Sequence, residues 1–259
     1  MATSLKSRDT NQVLYLYGVS RAGEGIVPDV VGVDAAAEVE AVPCAGLVCW
    51  ASRVNKTEFA DNLARNMENL EWLAEVSVRH QQAVAAIAAS RDILPARFGT
   101  VFRNSSSLAA HVEKHKAHLT RDLKRISGCE EWGVKVFHVR AQAQAAAAAK
   151  SGREYLRARA AALHEQAPPP ADAEVQRLLC ALEEVAAETA PGSGVVSRGQ
   201  RGLLWQGSLL VKRLQRDQLQ QLMGRFSRDW EGARRIELSG PWPPYSFVSR
   251  GPEPEASRG

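Results

Sequence analysis

A chain of 259 residues, 45% hydrophobic and 24% charged, has the balance of a globular protein with a real core, and its length fits two domains of ordinary size better than one. Its 33 basic and 29 acidic residues leave a formal charge of +4, which by itself selects neither a nucleic-acid nor an acidic partner. No run approaches the ~18 uninterrupted apolar residues of a membrane helix, and the opening MATSLKSRDTNQ lacks the apolar stretch of a secretory signal.

Cys44, Cys49, Cys129 and Cys180 have neither CxxC nor metal-ligand spacing. The expectation is therefore a cytoplasmic protein with reduced thiols and no membrane contact. Residues 13–19, VLYLYGV, read as the first strand; 27–33 and 38–42 are weaker strand signals, and 47–52, LVCWAS, is a convincing one. Asn55 with Glu58 resembles a capping box ahead of a long helical pattern over 56–90. Phe59, Leu63, Leu70, Leu73, Val84 and Ala88 share one face of it, with a kink expected at 76–78. Pro95 and Gly99 exclude helix over 93–102. A second helix follows at 105–127, striped by Leu108, Val112, Leu119, Leu123 and Ile126 and stopped by Gly128.

From Trp132 the pattern restarts. Residues 132–139 read as a strand, and 144–165, rich in Ala, Arg and Glu, as a helix broken by three prolines. Asp172 caps a helix striped by Val175, Leu178, Leu179, Leu182 and Val185. A hairpin is predicted from 195–197 and 203–212, then a helix at 215–229, a strand at 234–238 and a disordered tail at 249–259. The order β-α-β-β-α-β is that of a ferredoxin-like split βαβ unit with its first helix doubled. The expected fold class is α+β in two domains. Residues 1–130 form a mixed sheet with two long helices, and 131–248 a ferredoxin-like domain with an extra helix.

Phosphate loops, GxGxxG, GxSxG and HExxH are all absent from the sequence. His111, His115 and His118 stand at i, i+4 and i+7, a spacing that brings rings together at a zinc site. Glu113, Lys114 and Lys116 beside them mark a solvated surface, so one partly buried and two exposed histidines are expected instead. His80 and His138 have no nearby nucleophile in sequence and are assigned no catalytic role. The split βαβ order also occurs in RNA-recognition domains, which makes a nucleic-acid-binding protein the alternative reading. Against it, 201–211 places aliphatic residues where stacking rings belong. Lys212, Arg213, Arg216, Arg225 and Arg228 are explained equally by a solvated helix face.

Three segments go beyond generic pattern. LPARFGTVF at 94–102 is close to the LPLRFGTVF-like segment of the GvpF/GvpL gas vesicle family, with Leu94, Pro95, Arg97, Phe98, Gly99 and Thr100 in register. EWGVKV at 131–136 is similar to that family's element after the second helix, through Trp132 and Gly133. LSGPWPPYSFV at 238–248 resembles its C-terminal signature, through Gly240, Pro241, Trp242, Pro243, Pro244, Tyr245 and Phe247. YLYGV at 15–19 and the helix carrying Arg79-His80 also match in kind and order. Ala96, where a larger aliphatic residue is expected, and the alanine-rich 141–149 depart from the pattern.

The resemblance implies a two-domain α+β accessory or minor structural protein of the gas vesicle. It would be non-enzymatic, without cofactor, cytoplasmic and vesicle-associated. It would bind the small hydrophobic shell protein GvpA early in assembly, limit its aggregation and engage other accessory proteins, with no nucleic acid or membrane as partner. Arg97, Lys135, Trp242 and Tyr245 are the expected partner-binding residues. The fork of Arg97 suits a carboxylate or helix-end carbonyls. The prolines of 240–244 stiffen an extended segment that carries three aromatic rings. Two readings of that segment stand: it clamps back onto the core, or it presents anchors to a partner.

Overall fold

The computed structural model describes residues 11–23, 29–139, 173–191 and 202–249. The chain is mixed α+β and divides into two compact units. One is built from residues up to Glu130 together with those from Trp242 onward, the other from Glu131–Pro241.

In the first unit β1 (Gln12–Arg21) holds eight consecutive buried residues, so both of its faces are covered. It pairs antiparallel with β3 (Leu47–Asn55) on one side, and with β4 (Ile93–Pro95) and β5 (Val101–Phe102) on the other. Outside β3 lies β2 (Glu40–Cys44), giving the order β2-β3-β1-β4 with β5 also on β1. Ala45 (φ 54) and Gly46 (φ 80) make the tight β2–β3 turn, both in the left-handed region that two-residue hairpins require. After a π-helical turn (Thr57–Asp61) come α1 (Leu63–Asn66), α2 (Leu70–Ser90) and, beyond β5, α3 (Ser105–Arg125).

Side chains set these helix starts. Asn55 accepts the Glu58 N–H at 3.1 Å. Asn69 accepts from Glu71 and Trp72, and Asn104 forms a reciprocal capping box with Ser107. The long helical pattern is therefore broken at 67–69, where Asn69 starts a new helix, and not at 76–78, where α2 runs straight through. Val13, Tyr15 and Tyr17 of β1 form one core with Trp50, Val54, Phe59, Val76, Val84 and Ile87. The two-residue period of the strand sends Leu14 and Leu16 to the opposite face. There α3 packs on β1, β2 and β4 with Leu108, Val112, Leu123 and Ile126 buried.

The second unit runs β6 (Cys129–His138), α4 (Ala173–Val185), β7 (Glu188–Pro191), β8 (Leu203–Lys212), α5 (Arg216–Asp229) and β9 (Arg234–Trp242). Its sheet order is β7-β8-β6-β9. Val175, Leu178, Leu182 and Val185 of α4 pack with Leu219, Leu222 and Met223 of α5 over Trp132, Val134, Val136, Leu209 and Val211 of the sheet. The Trp230 indole N–H, just past α5, donates to Glu174 at the start of α4 (3.2 Å), tying the two helices together.

The described arm paired with β8 is Glu188–Pro191, which carries the antiparallel ladder from Glu188↔Leu210 to Pro191↔Gly207; the predicted arm at 195–197 lies outside the described residues. Two expectations are corrected. Residues 31–38 contribute only an isolated bridge, Val31↔Glu38, instead of a strand over 27–33. Trp242 and the segment after it join the first unit, against their assignment to the second domain. The predicted helix at 144–165, the Asp172 cap and the tail from 250 lie outside the described residues.

Gly240 shows how tightly β9 lies on β6. At φ +135, a Cβ there would meet the Glu131 carbonyl oxygen at 2.9 Å and the Trp132 ring at 3.0 Å. Gly240→Ala is expected to cost about 1–3 kcal/mol, read by denaturant melting of the whole chain. A midpoint unchanged from wild type would mean that β9 shifts freely.

Candidate functional site

The motif segments of the first unit meet at one side chain. His80, on α2, is 1% exposed. Its Nδ1 lies 3.1 Å from the Tyr15 hydroxyl, and its Nε2 3.1 Å from the Tyr245 hydroxyl. The Tyr17 ring stacks on the imidazole, and Phe98 meets it edge-on. Tyr15 also accepts the Gly99 N–H at 3.0 Å, and Tyr17 accepts the Val33 N–H at 2.8 Å. YLYGV, LPARFGTVF and the C-terminal signature thus converge on a histidine that the sequence reading assigns no catalytic role. It joins them as the neutral base, because burial outweighs a backbone hydrogen bond at Ala96 and holds its pKa down at about 4. Burial pushes the hydroxyls of Tyr15 and Tyr245 up, so both stay protonated, and the neutral imidazole accepts from one of them while its single N–H faces the other.

From β9 the chain continues as a strap. Pro243 and Pro244 are buried, a 3-10 turn spans Tyr245–Phe247, and Phe247 is 2% exposed. Asp122 and Arg125, one turn apart on α3, grip it. The buried Asp122 carboxylate accepts the Ser249 N–H at 3.0 Å and its hydroxyl at 2.9 Å. Arg125 donates to the Phe247 carbonyl and, at 3.2 Å, to Asp122. A buried carboxylate needs such donors to be tolerated. Neither residue was singled out by sequence, since both look like ordinary charges on a basic helix.

The four expected partner-binding residues are spread apart. Tyr245 is half-buried on His80, whereas Trp242, three residues earlier, is 51% exposed. Arg97 is exposed on the loop between β4 and β5, where its carbonyl accepts from the Thr100 N–H and hydroxyl (3.2 and 2.7 Å). Gly99 at φ +77 completes that turn. Lys135 is half-buried on β6 of the second unit. His111, His115 and His118 are all half-buried, against the one-in, two-out expectation, because Phe102 and His115 flank His111 and Asp122 lies 3.8 Å from His118. Among the described residues no group of three or more His, Cys, Asp or Glu is placed to hold a metal, and no helix is long and apolar enough to cross a membrane.

A mixed α+β protein whose C-terminal aromatic segment is strapped over the N-terminal sheet unit is the class that fold and site define. Residues 13–249 match the family described as gas vesicle synthesis protein GvpL/GvpF, and the chain belongs to that family. It is 29% identical over 255 residues to gas vesicle protein L of Streptomyces sp. (strain CB03234), covering 92% of this chain and 94% of that one. Its fold is similar to the crystal structure of the gas vesicle protein GvpF from Anabaena sp. PCC7120, with a TM-score of 0.70 and 17% identity over 93% of this chain and 97% of that one. For GvpF from Microcystis aeruginosa the values are 0.65 and 18%, over 92% and 99%.

Proposed function

We propose that this protein is a non-enzymatic accessory or minor structural component of the gas vesicle, acting from the cytoplasm. It binds the hydrophobic shell protein GvpA, assists nucleation and assembly, and limits aggregation of the shell protein before it polymerises. Family membership over 13–249 supports the vesicle role. The observation that carries a binding role is Trp242, half exposed immediately before a strap fixed by two buried prolines, Phe247 and Asp122. A large apolar ring on a preorganised segment is what binding hot spots use, and it loses little freedom on docking. A shell protein that buries apolar surface only on polymerising offers the complementary patch beforehand.

In the same reading the second unit is a ferredoxin-like split βαβ, supported by its chain order and its β7-β8-β6-β9 sheet. The domains follow the two units, 1–130 together with the strap from Trp242, and 131–241. Other accessory proteins are further partners.

The test is a pull-down of tagged full-length chain with co-expressed GvpA at low and high salt. A complex that survives salt and weakens at least about tenfold in Trp242→Ala is expected. A complex lost in salt moves the contact to charged groups such as Arg97 and Lys135 and rejects the aromatic anchor. No complex with soluble GvpA under either condition rejects the binding role.

A further inference from the structure

Helix α2 buries one side in the first unit and leaves a second apolar stripe in solvent. Val76, His80, Ala83, Val84 and Ile87 are its buried residues, and it packs on β1 and β4. Away from them, Leu70, Ala74, Ser77, Val78, Gln81 and Ala85 share one arc of the helix, roughly 100° wide at the helical period. None of these residues is charged. Leu70 is 79% and Val78 55% exposed, and Ala74, Gln81 and Ala85 are exposed as well. The charged groups of α2 stand to one side of the stripe: Glu71 and Glu75, with Arg79 tied to the Glu75 carboxylate and to the Val33 carbonyl. A solvated helix face normally carries charge, whereas an uncharged stripe of large and small side chains is what one helix presents to another.

The stripe is complementary to its own copy. Laid antiparallel with a two-fold axis between Ser77 and Val78, two α2 helices set Leu70 level with Ala85 of the second copy, Ala74 with Gln81, and Ser77 with Val78. Leu70 and Val78 then each meet a small side chain, so the helices approach closely. The same register brings Glu75 beside the uncharged amide of Gln82, and it opposes the two helix dipoles. A parallel pair would instead set Glu71 beside Glu71 and Glu75 beside Glu75, with the dipoles aligned, and is disfavoured. We infer that the stripe from Leu70 to Ala85 is a homodimer interface, occupied by α2 of a second copy of this chain in an isologous antiparallel pair.

Sedimentation equilibrium on the full-length chain tests this. Wild type is expected to show a concentration-dependent monomer–dimer equilibrium. Val78→Glu and Val78→Lys, at an exposed position beside the axis, should each weaken it at least about tenfold by bringing like charges together. An equimolar mixture of the two variants sets opposite charges there instead, and heterodimers are expected to outcompete either homodimer. Circular dichroism of each variant checks that the fold is kept. Cross-linking with copper-phenanthroline reads the orientation, in a Cys180→Ser background that removes the exposed thiol. Leu70→Cys mixed with Ala85→Cys is expected to give a disulfide-linked dimer, and Leu70→Cys alone is not. Wild type that stays monomeric at hundreds of micromolar, or charged variants that dimerise as tightly as wild type, or a mixture without heterodimers, or cross-linking by Leu70→Cys alone, would each overturn the inference.

Discussion

Acidification from pH 7 to pH 4 is expected to lower the unfolding free energy by about 3 kcal/mol through His80 alone. The folded chain holds this imidazole at about 4, against 6.5 for the free group, because the ring is buried among Tyr15, Tyr17, Phe98 and Tyr245. Between those two values the unfolded chain binds the proton and the folded chain does not, so stability rises with pH across the window and is lost on descending through it. The half-buried His111 is lowered as well, chiefly by burial, and adds a slope of the same sign. Urea melts at half-unit pH steps, for wild type and for His80→Gln, isolate the His80 part. The wild-type curve should steepen below pH 6.5 and the variant should lack most of that slope. Parallel curves would show that His80 is solvated, contrary to its 1% exposure.

Phe247→Ala is expected to cost about 3–4 kcal/mol, the usual loss for a buried ring replaced by a methyl. The thermal midpoint should fall by roughly 10 °C. Phe247 is 2% exposed, and its carbonyl is the acceptor that Arg125 reaches from α3. Loosening this residue therefore also frees a charged donor and the Asp122 carboxylate beside it. Hydrogen exchange locates the damage: protection should drop along α3 near 118–125 and around His80, while α4 and α5 keep theirs. Uniform loss over both units would mean that the strap supports more than the first. An unchanged midpoint would make it a surface ornament.

What the sequence reveals of this fold follows the range of the interactions concerned. The stripe on α3 and the Asn104–Ser107 box are local, so that helix is legible almost to the residue. The run 203–212 is equally plain, since a short apolar run opened by Gly202 and carrying Gly207 inside it argues against helix. Glu188-Thr-Ala-Pro191 escapes because an exposed edge strand has no apolar face to alternate. The break at 67–69 is set by the cap of Asn69, a single polar residue in a segment where Asn is common.

The site is harder still to read. Tyr245 and His80 are 165 positions apart, and Ser249 and Asp122 are 127 apart, so no window of sequence contains either contact. Resemblance to the gas vesicle family marks 94–102 and 238–248 as special without saying that they meet. Trp242 and Tyr245 lie three residues apart in one motif, yet one ring is half exposed and the other is bonded to His80. Only the path of the strap separates those two fates. Whether Arg97 and Lys135 contact a partner depends on that partner's surface, which this chain does not encode.

The strap also sets an order of events during synthesis. The residues that finish the first unit, from Pro243 to Ser249, leave the ribosome about 110 residues after Glu130, behind the whole second unit. At ordinary elongation rates that is a wait on the order of ten seconds. Throughout it, His80, Arg125 and the seat of Phe247 are held open on the nascent chain, and the first unit to be translated is the last to be completed.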